Sequence, residues 1–137
     1  MAAFMLATLI STIFAIPAQA AVTGITNTGP AKVLPGAAYA YTVVVTNGGV
    51  ADTNVIVTDT VAVATPVGTP SFVLSSAPLV TVPCVGPAPF TCTAPAMAAA
   101  ETMTITVNVT AGAAGTTGTN DATVDSDNSA LVSATQA

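Results

Sequence analysis

The chain has 137 residues, about one domain, with a single basic side chain, Lys32, against six acidic ones, a net charge of −5 and no histidine. That balance excludes recognition of a nucleic-acid phosphate backbone and electrostatic attachment to an anionic membrane surface, both of which need clustered cations. Hydrophobic residues make up 52% of the chain but aromatic ones only 4%. The apolar count is carried by Ala and Val interleaved with Thr, so the predicted core is thin in rings and sensitive to the loss of any large aliphatic side chain.

Residues 1–20 read MAAFMLATLISTIFAIPAQA. The apolar run Phe4 to Ile16 is shorter than the roughly 20 residues of a comfortable membrane span. It is followed by Pro17 and the small-x-small sequence Ala18-Gln19-Ala20. This pattern predicts a secretory signal peptide cleaved before Ala21, leaving 21–137 as one domain that works outside the cell or at its surface. No Lys or Arg precedes the apolar run, and a retained apolar segment is the competing reading.

Beyond Ala20 the grammar is that of strands and turns. Ala21 to Thr28 is a predicted strand ended by Gly29-Pro30. Pro35-Gly36 opens a turn, after which Tyr39, Tyr41, Val43 and Val45 alternate with Ala38, Ala40, Thr42 and Thr46, the period of two that one buried face requires. Asn47-Gly48-Gly49 reverses the chain, and Val55 and Val57 resume the alternation, so 35–60 reads as strand, turn, strand in a central hairpin. The stretch 61–70, with Pro66, Gly68 and Pro70, reads as a loop or irregular edge. Short strands are predicted at 71–74 and 79–82, and Cys84 to Cys92 leads to a proline-containing connector. Thr102 to Thr110 carries the cleanest alternation, with Met103, Ile105, Val107 and Val109 on one face. The final strands fall at 120–124 and 130–134, on either side of Asp125-Ser126-Asp127-Asn128. About seven to nine short strands with regular turn signals predict an all-β, two-sheet sandwich of Greek-key type.

On Pro35-Gly36, Tyr41, Thr46-Asn47, Gly49, Asn54-Val55, Thr58-Asp59-Thr60, the Cys84/Cys92 pair, Ala98 to Glu101, Asn120, Ala122 to Val124 and Asn128 to Ala130, the chain resembles a known family. It is similar to the immunoglobulin-like conserved repeat of bacterial and archaeal surface proteins, known as domain of unknown function eleven. The resemblance covers residues 24–136, one whole repeat. It departs from the family's pattern at Ala100, where a turn glycine is usual, and at Ala62, where a proline is usual. It implies an immunoglobulin-like β-sandwich in a prokaryotic envelope.

Cys84 and Cys92, spaced eight apart around Gly86, Pro87 and Pro89, predict a disulfide closing a hairpin in an exported chain. A metal site on them lacks imidazole ligands. Asp121, Asp125, Asp127 and Asn128 offer oxygens that calcium could use, against the plainer reading of short Asp/Asn turns; no cofactor is expected. Asp59 reads as an acceptor of backbone N–H bonds at a turn. Lys32 and Asn120, with Asp59 or Glu101 between them in the chain, stand in the order that a Lys–Asn isopeptide crosslink would need. Asn108-Val109-Thr110 is an N-glycosylation sequon.

With no histidine, no free thiol once the disulfide forms and no phosphate-binding glycine loop, the sequence points away from an enzyme. The leading expectation is a non-catalytic extracellular structural or adhesive module of a prokaryotic envelope. The alternatives are a filament subunit that adds a terminal strand, 21–28 or 130–137, to a neighbour, and a ligand-binding accessory domain. The last would need an aromatic groove, and Tyr39, Tyr41, Phe72 and Phe90 read as mostly internal. The expected partners are other protein chains, copies of itself included, with no nucleic acid and no membrane insertion after cleavage.

Overall fold

The computed structural model of the protein describes residues 21–137; the expected signal peptide lies outside the described residues. Ten strands follow in order: β1 (Val22–Thr28), β2 (Ala38–Asn47), β3 (Asp52–Ala62), β4 (Thr65–Pro66), β5 (Ser71–Leu74), β6 (Ala77–Pro83), β7 (Phe90–Met97), β8 (Thr102–Thr110), β9 (Thr119–Ser126) and β10 (Ser129–Gln136). They form two antiparallel sheets, one ordered β1-β2-β8-β5-β6 with β4 paired to β8, the other ordered β10-β9-β3-β7. The architecture is an all-β sandwich.

Alternation decides which side of each strand is buried. On the first sheet Tyr41, Val43 and Val45 of β2 lie opposite Val107, Ile105 and Met103 of β8, and all six are buried. On the second, Val57 of β3 lies between Cys92 of β7 and Val124 of β9. These inner faces meet as one core, completed by Phe72, Phe90, Ala94 and Met97. The predicted faces of 39–45 and 103–109 are those observed.

The expected central hairpin is not one. β2 and β3 belong to different sheets, so 47–51 is a crossing between layers. Its geometry is held by buried Asn47, whose Nδ2 donates to the carbonyls of Val50 (2.9 Å), Met97 (3.1 Å) and Ala98 (2.7 Å). A side chain that binds three main-chain carbonyls of two segments redirects the strand, where an ordinary two-strand turn would return it alongside. Asp52 begins β3 in the same manner. Burial alone would push its carboxyl up, yet hydrogen bonds from Ser126, Thr53, Asn128 and Ser129 hold it below its ordinary value. Ala100 has a φ of 61°, in the left-handed region that favours glycine. Beside it, Glu101 accepts from the main chain of Ala98 (2.7 Å) and from the Ser76 hydroxyl. Those bonds hold its carboxyl down against burial.

Cys84 and Cys92 are joined in a disulfide. They lie one step beyond the Val85/Thr91 bridge, whose two main-chain bonds are 2.7 and 2.9 Å long. Because β6 and β7 are the edges of opposite sheets, this bond links the layers as well as closing a hairpin. Replacing both cysteines by Ala is expected to lower unfolding stability by about 2–3 kcal/mol, since the chain-entropy gain from so short a loop is modest. The urea midpoint of the variant, read against the oxidised and reduced parent, measures it.

Candidate functional site

The loop 29–37 leaves β1 and enters β2, and the loop 111–118 leaves β8 and enters β9. Main-chain bonds from Gly36 N to Ala111 O (3.2 Å) and from Ala111 N to Ala37 O (2.9 Å) tie their bases together. Between them lies a cleft of about 640 Å³ lined by Lys32, Val33, Leu34, Tyr39, Tyr41 and the 111–118 loop. Alternation along β2 places the two tyrosines on one face. Their rings meet edge to face with centroids 5.2 Å apart, and their hydroxyls are 3.0 Å apart.

Two glycines make room for this pair. A Cβ on Gly29 would lie 2.7 Å from Cδ1 of Tyr41, and one on Gly118 would lie 3.3 Å from both hydroxyl oxygens. Either substitution would press on the rings. The Tyr41 hydroxyl is driven well above its ordinary range, first by burial, then by its bond to Tyr39, with smaller electrostatic contributions from Tyr39 and Asp59. It therefore stays a neutral phenol, able both to donate and to accept a hydrogen bond.

A buried polar cluster joins the inward faces of three strands. Asn27 of β1 continues the register of Ile25, Asp59 of β3 that of Val55 and Val57, and Asn120 of β9 that of Ala122 and Val124. Asn120 Nδ2 donates to Asp59 Oδ2 (3.1 Å) and to Asn27 Oδ1 (3.3 Å), while Asn27 Nδ2 donates to the Asn120 carbonyl (2.7 Å). Asp59 Oδ1 and Asn120 Oδ1 are buried without a partner among the described residues. An acidic proton on Asp59 is the economical response of such a site to the cost of burying a charge. Burial pushes the Asp59 carboxyl up to about 6; the Asn120 bond opposes the rise and the charge of Asp121 adds to it.

The sequence-predicted residues are distributed as follows. Asp59 was expected at a turn accepting main-chain N–H bonds, but it lies within β3, between Phe90 and Ala122 of the neighbouring strands, and its partner is a side chain. Asn120 and Asp59 are brought together. Lys32 is not among their partners: it is exposed in the loop after β1, and the place beside Asn120 is taken by Asn27, an amide rather than an amine. Glu101 binds Ser76 and Ala98 elsewhere.

The calcium candidates do not converge on a common point. Asp127 accepts from Thr53 Oγ1 (2.6 Å) and Asn54 Nδ2 (2.8 Å), and Asn128 donates to Asp52 (3.1 Å). Asp121 and Asp125 are exposed. Among the described residues no group of three or more His, Cys, Asp or Glu could hold a metal ion. Asn108 is exposed on β8, while Phe72 and Phe90 are core residues. The sequence reading missed Asn27 and the tyrosine-lined cleft. The available signal for Asn27 was a polar residue in an inward register, repeated at Asp59 and Asn120.

No family model matches the chain, and no curated protein matches it. A solved structure that aligns with it is described by the words "AvmM Catalyzes Macrocyclization in Alchivemycin A Biosynthesis". The alignment covers 85% of this chain and 88% of the other at 15% identity, with a TM-score of 0.49. Membership of the surface-repeat family is accordingly withdrawn, since no family model, that repeat's included, matches the chain. The expectations of a passive structural or adhesive module, a filament subunit or an accessory domain, and of a chain that is not an enzyme, find no support in these comparisons. They are withdrawn too. At that identity and TM-score the likeness brings no activity to this chain in their place.

Asp59 sets a sign for stability. Its folded carboxyl titrates near 6, against 3.8 ordinarily. The stability it contributes is therefore complete below about pH 3.8 and is lost as pH rises through about 6, by about 2–3 kcal/mol. Asp52 and Glu101, both lowered, act oppositely and lose their contribution as pH falls through the carboxylate range. Unfolding free energy measured by urea titration across pH is expected to peak in weak acid. Asp59→Asn is expected to abolish the decline toward neutral pH.

Proposed function

We propose that this chain is an exported, disulfide-closed sandwich of immunoglobulin-like Greek-key type whose cleft between the 29–37 and 111–118 loops binds a small organic anion. The signal-like residues 1–20 and the Cys84–Cys92 bond favour export, because disulfides persist in oxidising compartments. The Greek-key reading is favoured by β2 and β3 lying in different sheets and by β8 returning from β7 to pair with β2.

One observation carries the ligand class. The chain's single Lys or Arg side chain lines this cleft, beside a pair of phenolic hydroxyls and the apolar surface of Val33 and Leu34. A cleft with apolar walls and a few convergent polar groups is the usual form of a small-molecule site. Here the ammonium would meet the anionic group, the hydroxyls would donate to it, and the aliphatic wall would cover the ligand's body.

Benzenesulfonate, which stays ionised across the accessible pH range, is a suitable probe. Titrated into the ¹⁵N-labelled chain, it is expected to shift the amides of Lys32 to Leu34 and Ala111 to Gly118 saturably. Lys32→Gln is expected to weaken the affinity about tenfold, as loss of a charge-assisted hydrogen bond does, and Tyr39→Phe by less. Shifts that do not saturate, that map elsewhere, or that survive Lys32→Gln unchanged would overturn the assignment.

A further inference from the structure

The buried cluster and the cleft are connected through two routes. Asn120, which binds Asp59 at 3.1 Å, lies two residues beyond Gly118 of the cleft wall. Gly29, two residues beyond Asn27 of the cluster, packs on the ring of Tyr41 in the cleft wall, where a Cβ would come within 2.7 Å. We propose that the charge on buried Asp59 modulates the affinity of the cleft for anions, which bind more tightly while Asp59 holds a proton and more weakly once it ionises. The inference rests on the reading of the cleft as an anion site.

The physical reason is the poor screening of Asp59. It is fully buried, and among the described residues its Oδ1 has no donor and no cation pairs with it. A carboxylate so placed projects its field through protein rather than solvent, where attenuation is weak. Anions in the cleft meet that field only when Asp59 is ionised. The transition falls near pH 6, where small changes of acidity move it. Linkage is reciprocal: whatever the proton does to anion affinity, the bound anion must do to the proton.

The other charged and titratable groups around Asp59 are few. β2 presents Tyr41, with Tyr39 bonded beyond it. β9 contributes Asp121, on its exposed face, next to Asn120. β1 and β7 present Asn27 and Phe90, which do not titrate. The flanking loop supplies Lys32.

The test is the dissociation constant of benzenesulfonate, by calorimetry or amide shifts, at pH 5.0 and 7.5 for the parent chain and for Asp59→Asn. The parent is expected to bind about fivefold more tightly at the lower pH. The variant is expected to bind at both pH values as the parent does in acid. Binding by the parent without a pH dependence would overturn this inference alone, as would the same slope retained in the variant, which would assign it to another group. Absence of saturable binding at either pH would overturn the cleft reading and this inference with it.

A second measurement needs no variant. The ¹³C shift of the Asp59 carboxyl, followed against pH in the parent chain, is expected to have its midpoint displaced upward by saturating benzenesulfonate. An unmoved midpoint would overturn the coupling.

Discussion

The structure depends on the meeting of two apolar faces, each made by alternate residues of antiparallel strands. Val43, Val45, Ile105 and Val107 from one sheet close on Val55, Val57 and Val124 from the other, all of them buried. Period-two alternation leaves no freedom in this arrangement, because a slip of one residue would turn every apolar side chain to solvent. With few rings to fill space, the core relies on β-branched side chains, whose restricted rotamers suit a pleated surface. The disulfide at the far edge and the Asn47 crossing then secure how the two layers are joined.

Against that apolar background the buried polar groups fall into two kinds. Asn47, Asp52 and Glu101 are saturated with hydrogen bonds and act as fasteners at the crossings between strands. Their bonds outweigh burial, which is why both acids are held low. Asp59 and Asn120 are different, since each retains an orphan oxygen in the interior. A saturated carboxylate stabilises the fold in its charged form, whereas an undersatisfied one is stable there chiefly as a neutral acid. That distinction separates the structural acids from the one that senses pH.

The cleft follows from the same strand geometry. Alternation puts Tyr39 and Tyr41 on the inward face of β2 at its first half, where the sandwich opens between two loops and the core has ended. Both line the opening, and Gly29 and Gly118 have no side chain to crowd them. The rings thus belong to the core and to the site at once. For that reason an inventory of aromatic residues, which assigned them to the interior, did not disclose the groove.

What the amino-acid sequence determined by itself was local. The alternation of 39–45 and 103–109 specified strands and their buried faces, because periodicity is a property of consecutive residues. The Gly/Pro and Asn/Asp clusters specified where the chain turns, and the two cysteines, eight apart, could reach each other on either side of a tight reversal. Which strands pair was beyond that information. The Asn47-Gly48-Gly49 turn looked like a hairpin, since its residues permit reversal in either case; only the carbonyls of Met97 and Ala98, fifty residues away, turn it into a crossing between sheets. Likewise Asn27, Asp59 and Asn120 are far apart in the chain and each is unremarkable alone. Tertiary structure made them a site, because burial and electrostatic coupling depend on what long-range packing places around a group.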